Sequence, residues 1–254
     1  MSEVKDLTIA SDAPGARMYM LGNEAIARGA IEAGIDVVAA YPGTPSSEIV
    51  QAFIDGSKER DYYVEWSVNE KVAFEVAFAA AMTGLRSVAI MKHVGVNVAH
   101  DPLMTSAYMG TKGGFVLISA DDPSMWSSQT EQDNRYLAMQ AYVPVLEPSS
   151  GQEACEMMKD ALLLSEQFGQ MFMFRTLTRI SHARVDVQLG EISTETRDGK
   201  FEKGTSRWVC LPANERRNRL LMIERMAKIK KAVNTLKYNK LTTVKGANLG
   251  IIAS

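Results

Sequence analysis

The chain reads as an α/β protein: a doubly wound, mostly parallel sheet with helices on both faces, followed by a carboxy-terminal linker that carries a basic helix. Apolar runs of four to six residues, such as 36–40 (DVVAA), 87–91 (SVAIM), 115–119 (FVLIS) and 171–174 (MFMF), alternate with longer segments whose apolar positions recur at helical spacing. Strands that are apolar throughout belong in a sheet covered on both faces, which is the parallel arrangement. The unusual polar sequence falls at the carboxyl ends of these strands, where sheets of this kind place their sites.

Taken in order, Met18 to Leu21 follows a polar leader as a short strand, and 22–34 (GNEAIARGAIEAG) reads as a helix stopped by glycine. The strand at 36–40 runs straight into Tyr41-Pro-Gly-Thr-Pro-Ser-Ser47, a stiff polar loop. Pro45 suits the first position of a helix capped by Thr44 and reaching about Lys58. Tyr62, Val64 and Trp66 alternate with Tyr63 and Glu65 as in a strand, and Ser67 or Asn69 can cap the helix that follows. Glu70 then sits in the first helical turn, on the face of Ala73, Ala77 and Ala81 with Phe74 beside them, while Glu75 lies roughly 140° away. A carboxyl on such a face is poorly placed to reach water. The helix dipole also favours an acid at that position, and both readings stand.

Beyond the strand at 87–91, Lys92 to Asn97 (KHVGVN) is a loop, His100 to Gly110 a helix, and 115–119 a strand that ends in a polar loop from Ala120 to Glu131. Asp133 to Gln140 reads as helix, Val143 to Leu146 as strand, Ser149 to Phe168 as a long amphipathic helix and Met171 to Phe174 as the last strand. The alternation fails past Arg184, which divides the chain into a compact unit at 1–185 and a linker at 186–254. Within the linker Arg207 to Leu211 reads as extended, Pro212 to Tyr238 as one basic helix, and Leu249 to Ala253 (LGIIA) as the opening of a buried strand. A strand that stops at Ser254 is expected of a piece of a longer polypeptide whose second domain lies downstream.

With 254 residues, 46% hydrophobic and 23% charged, the composition is that of a protein with a real core. No apolar run approaches the ~20 residues that span a bilayer, and Met1 to Arg17 has no apolar core ahead of a cleavage site; a cytoplasmic protein is expected. Cys155 and Cys210 are too few for a zinc or iron–sulfur ligand set and read as reduced thiols. Residues 1–199 hold 15 Lys+Arg and 27 Asp+Glu, and residues 200–254 hold 13 and 3, so a body of −12 meets a tail of +10. The tail lacks interleaved aromatics and carries a stripe of Leu220, Leu221, Ile223, Met226 and Ile229, which argues for packing and charge complementation rather than nucleic acid.

Several chemistries find no support. The first strand is not followed by GxGxxG, and GxxxxGK[ST] and GxSxG do not occur. His93, His100 and His182 are the only histidines and form no i, i+4 pair, so no dedicated metal site is expected.

The segments GNEAIARGAIEAG, YPGTPSSEI, NEKVAFEVAFAAAMTGLRSVAIMKHVGVNVAHDPLM, SADDPSMWSSQTEQDNR and FRTLTRISHAR closely resemble the amino-terminal domain of the large (alpha) subunits of indolepyruvate:ferredoxin oxidoreductases, within the thiamine diphosphate-dependent 2-oxoacid:ferredoxin oxidoreductase family. The likeness runs from about Leu21 to Arg184 and more weakly to Ser254. It implies the thiamine diphosphate-binding fold in its pyrimidine-binding half. It gives Glu70 the family's acid, which hydrogen-bonds N1′ of the aminopyrimidine, and a carboxyl shielded from water suits that shared proton. It places Gly43, Thr44, Pro45, Gly95 and Asn97 around the cofactor, with the Thr44 hydroxyl toward the substrate's carboxylate and His93 and Lys92 beside the reaction.

Pyruvate-using members of the family carry an arginine just after the strand matching 115–119, where it grips that carboxylate. Here Ala120-Asp121-Asp122 stands instead, and Lys92, His93 or Arg175 is expected to supply the charge, with Met125 and Trp126 shaping the pocket for an aromatic side chain. The resemblance further implies coenzyme A, ferredoxin, a second (beta) subunit, Mg²⁺ bound by a separate domain, and iron–sulfur clusters elsewhere in the complex. On this reading the isolated chain is inactive and self-associating. Two alternatives stay open: a different 2-oxoacid substrate, or a non-catalytic interaction module on the same scaffold.

Overall fold

The computed structural model describes residues 7–251. The chain forms β1 (Arg17–Leu21), α1 (Gly22–Glu32), β2 (Val37–Ala40), α2 (Ser47–Gly56), β3 (Tyr63–Trp66), α3 (Glu70–Thr83), β4 (Ser87–Lys92) and a 3-10 turn at His93–Asn97. There follow α4 (His100–Met109), β5 (Phe115–Asp121), α5 (Asn134–Ala141), β6 (Val145–Leu146), α6 (Gly151–Phe168), β7 (Phe172–Leu177), α7 (Thr178–Ser181), β8 (Arg184–Gln188), α8 (Thr205–Trp208) and α9 (Pro212–Val233).

Six strands make one parallel sheet in the order β3-β2-β4-β5-β7-β6. Side chains alternate across it and build two cores. Val38, Val88, Ile90, Val116, Ile118, Phe172 and Phe174 meet α1, α2 and α6 on one face. Ala39, Ala89, Met91, Phe115, Leu117 and Met173 meet α3, α4 and α5 on the other. From β2 the chain turns one way to β3 and then returns across β2 to β4, so the sheet's direction of winding changes between β2 and β4. The crevice outside the carboxyl ends of those two strands is where such a sheet accommodates a ligand.

Local chemistry sets the boundaries that matter for the site. Asn69 caps α3, its side chain accepting from the Val72 amide at 2.9 Å, and Gly84 ends the helix at φ 100, which suits glycine. Ala73, Phe74, Ala77 and Ala81 are fully buried and Glu75 is exposed, as the wheel predicts.

Several expectations are corrected. Thr44 does not cap α2: the Gly43 carbonyl accepts from both the amide and the hydroxyl of Ser46 at 2.7 Å, and this tight turn delays the helix to Ser47 with Ser46 at its cap. β1 stands outside the parallel sheet and pairs antiparallel with β8, Met20 opposite Val185 and Met18 opposite Val187. β8 itself spans Arg184–Gln188. Arg207 is helical in α8 rather than extended, and α9 stops at Val233 rather than Tyr238. Leu249 to Ile251 is exposed coil, because no neighbouring strand offers it a ladder, and the remainder of that expected strand lies outside the described residues.

The basic tail packs through only part of its expected stripe: Met226 and Ile229 of α9 lie against the core, whereas Leu220, Leu221 and Ile223 are exposed, and Met222, outside that stripe, is buried instead. Arg225 donates to the Ala107 and Tyr108 carbonyls at 3.1 and 2.9 Å, and Arg207 to the Met109 and Thr111 carbonyls at 3.1 and 2.7 Å. Its cations thus satisfy the open carbonyls at the end of α4, where positive charge is favoured.

Candidate functional site

Four segments reach the crevice: the 41–47 loop after β2, the start of α3 after β3, the 3-10 turn after β4, and the 122–131 loop after β5. Glycines set their closest approaches. A Cβ on Gly43 would lie 2.8 Å from Cβ of Lys92, so the 41–47 loop sits directly on β4's last residue. A Cβ on Gly95 would lie 2.4 Å from Oε1 of Glu70 and 2.6 Å from its Cγ. The Glu70 carboxyl is therefore half-buried in a cradle that only a residue without a side chain provides. Among the described residues it makes no side-chain hydrogen bond, so its oxygens are available to an outside group.

Sheet alternation divides the remaining residues between the two faces. Lys92 follows Val88 and Ile90 on one face and lies in register with Ala120. Its Nζ donates to the Ser127 carbonyl at 2.5 Å, and the Ser127 hydroxyl oxygen lies 3.3 Å from the Thr44 carbonyl. Burial pulls the Lys92 ammonium below its usual range, opposed by the nearby Asp122 carboxylate. The Asp122 carboxyl is itself pushed up by burial, but hydrogen bonds from Ser128, Ser127 and Thr178 outweigh this and hold it at about 2.

On the other face, His93 is fully buried with Nε2 2.8 Å from the Thr130 carbonyl, and its Nδ1 has no partner. Asn134 donates to the His93 carbonyl at 3.2 Å and to the Ser119 hydroxyl at 2.8 Å. The Ser119 hydroxyl donates a hydrogen bond to Asp121 at 2.9 Å, and Asp121 pairs with Arg175 Nε at 2.6 Å. Arg175 is buried and also binds Glu147 at 2.6 Å through Nη1.

The structure thus brings Gly43 and, through Ser127, Thr44 to Lys92, and Gly95 to Glu70, with His93 opening the turn that connects the two groups. Pro45 is buried beside them, its carbonyl accepting from Asn23 at 2.8 Å. Asn97 is exposed at the end of its turn, and Trp126 is 82% exposed at the tip of the 122–131 loop. Arg175 stands apart in β7, engaged by two carboxylates. Asn23, Asp122, Ser127 and Asn134 were not singled out from the sequence; Asp122 and Ser127 lie within a stretch flagged as polar, whereas nothing about Asn23 distinguishes it from an ordinary first-turn residue.

The family model "Pyruvate flavodoxin/ferredoxin oxidoreductase, thiamine diP-bdg" matches residues 28–215. The chain belongs to this family. Among curated relatives it is 51% identical to indolepyruvate oxidoreductase subunit IorA of Thermococcus kodakarensis and 50% identical to that of Archaeoglobus fulgidus, with 100% and 96% of this chain aligned. It covers 40% of the length of each. A 2-oxoglutarate synthase subunit KorA of Methanothermobacter thermautotrophicus is 26% identical over 67% of the chain and 47% of that protein. The fold matches a 2-oxoglutarate:ferredoxin oxidoreductase from Magnetococcus marinus, solved with 2-oxoglutarate, coenzyme A and succinyl-CoA bound, at a TM-score of 0.71 and 17% identity, over 91% of this chain and 47% of that one. Among the described residues no helix is long and apolar enough to cross a membrane, and no group of three or more His, Cys, Asp or Glu stands ready to hold a metal.

Proposed function

We propose that this chain supplies the pyrimidine-binding part of a thiamine diphosphate-dependent 2-oxoacid:ferredoxin oxidoreductase. In the whole protein the reaction is oxidative decarboxylation of indolepyruvate or a related arylpyruvate to an acyl-CoA, with ferredoxin accepting the electrons. The observation that carries the reading is the Glu70 carboxyl, half-buried against Gly95 and without a side-chain hydrogen bond among the described residues.

Gly95 lets the Glu70 carboxyl lie directly against the turn after β4, and that carboxyl can share a proton with N1′ of the aminopyrimidine. Gly43, Pro45 and Asn97 complete the surroundings. Thiamine diphosphate, when bound, supplies a carbon nucleophile and an electron sink. The chain's own residues bind and orient the substrate. Lys92, held beside Thr44 through Ser127, offers its ammonium to the 2-oxoacid carboxylate, and the Thr44 hydroxyl adds a hydrogen bond. Buried His93, with Nδ1 free, is placed to hold a proton next to Glu70's turn. Arg175 serves this arrangement from behind by fixing Asp121 at the end of β5. Trp126 contributes an exposed indole at the loop that faces an arriving side chain.

On this reading 1–185, extended by β8, is the cofactor-facing domain, and 186–254 leads on toward the diphosphate-binding and Mg²⁺-binding parts. Iron–sulfur clusters, the beta subunit and the coenzyme A and ferredoxin sites belong to the rest of a cytoplasmic, oligomeric complex. The test is 2-oxoacid-dependent reduction of a viologen dye by the complete protein and its Glu70→Gln variant, which keeps shape and loses the ionisable group. Activity should fall by about 10²–10⁴ with the fold intact. A Glu70→Gln enzyme as active as its parent would refute the assignment.

A further inference from the structure

Asp122 is almost completely buried just past the end of β5, and its hydrogen-bond partners include neither Glu70 nor Gly95. Its carboxylate accepts five hydrogen bonds: from the amides of Trp126 (3.2 Å) and Ser127 (2.8 Å), from the hydroxyls of Ser127 (3.2 Å) and Ser128 (2.5 Å), and from Thr178 Oγ1 (3.2 Å). Four of them come from the loop that follows. That loop contains two consecutive non-glycine residues in the left-handed region, Ser124 at φ 66 and Met125 at φ 55. Such a conformation is unfavourable for residues with a side chain and persists only where its surroundings impose it. Charge-assisted bonds of the kind Asp122 accepts are the strong ones and are what imposes it here. The loop so held presents the Ser127 carbonyl to Lys92 Nζ and the Thr130 carbonyl to His93.

We propose that Asp122 is a positioning residue: its carboxylate latches the 123–131 loop over the crevice and thereby fixes where the Lys92 ammonium stands. Lys92 Nζ leans on a main-chain oxygen whose own place depends on two bonds from Ser127 to Asp122. Without the latch the loop's strain is released, the Ser127 carbonyl leaves, and the ammonium loses the group that aims it beside Thr44. The latch stands on the loop geometry alone. Its consequence for substrate rests on the reading of Lys92 given above.

Two measurements on the complete protein test it. Hydrogen exchange over 123–131 reads the latch without reference to activity: Asp122→Ala should speed exchange of the Trp126 and Ser127 amides by about tenfold or more, since a charged acceptor contributes roughly 1.5–3 kcal/mol. Ser128→Ala, which leaves β5 untouched, should speed it less. Steady-state kinetics read the positioning: Asp122→Ala should raise KM for the 2-oxoacid more than it lowers kcat, whereas mere loss of folded enzyme lowers kcat at constant KM. Unchanged exchange in both variants overturns the latch. Faster exchange with an unchanged KM overturns the positioning of Lys92. A KM left unchanged by Lys92→Ala itself would instead refute the underlying reading of Lys92, a separate failure.

Discussion

Substituting Gly95 by alanine tests the Glu70 cradle without touching any ionisable group. The new Cβ would stand 2.4 Å from Oε1, 2.6 Å from Cγ and 2.9 Å from Cδ of Glu70, where ordinary contact begins at 3.4 Å. The carboxyl must therefore retreat by about 1 Å, and a displacement of that size at a catalytic group can cost about 10²-fold in rate. Gly95 is buried in its turn and has no left-handed φ, so the backbone tolerates alanine and the strain is confined to the side-chain collision. Overpacking of this kind costs about 1–3 kcal/mol, which leaves the domain folded. The expected outcome in the complete protein is a modest fall in melting temperature with a loss of dye-reducing activity of about two orders of magnitude. If Gly95→Ala retained full activity, either the carboxyl does not need this position or Glu70 is not the acid.

Lys92 and Arg175, both candidates for the substrate's counter-charge, should separate cleanly: Lys92→Ala should raise KM for the 2-oxoacid, while Arg175→Ala leaves Asp121 and Glu147 uncompensated and should destabilise the fold by about 3–5 kcal/mol in urea titration. Arg28, fully buried, bonds Glu32 at 2.8 Å and the carbonyls of Ile9, Ser11 and Gly190, tying the leader and the linker to α1. Its replacement by alanine should likewise cost about 3–5 kcal/mol, measured as a lower urea midpoint. Asp122 has a folded value of about 2 against an ordinary 3.8, so its stabilising contribution is complete above about pH 4 and is lost as pH falls toward 2. The difference in melting temperature between the parent and Asp122→Asn should accordingly be constant from pH 5 to 8 and shrink below pH 4.

The parallel sheet was legible because its strands are short, apolar throughout and separated by helical periodicity. Glu70 was legible because Asn69 is a strong cap and the alanines at 73, 77 and 81 fix the wheel. The cap of α2 was not, since Thr44, Ser46 and Ser47 all offer hydroxyls and only the turn at Gly43 selects among them. The pairing of β1 with β8 was hidden because Val185 and Val187 alternate with charged residues beyond the point where the alternation of elements had ended. The engagement of Arg175 by Asp121 depends on β5 lying beside β7, with Ser119 opposite Arg175, and that order skips β6. Asp122 and Ser127 sat in a segment already marked as polar, but their connection requires the left-handed path at Ser124 and Met125, which no propensity announces.

The two neighbouring acids at the end of β5 look interchangeable on paper and are not. Asp121 leaves the sheet on the side of Ser119 and Arg175, Asp122 on the side of Thr178 and Lys92. Because facing alternates with every residue, deleting one residue upstream in this strand would set Asp122 where Asp121 stands, and inserting one would set Asp121 where Asp122 stands. Either shift keeps an aspartate on one side of the crevice and strips it from the other, leaving proline in the latch or alanine opposite the guanidinium.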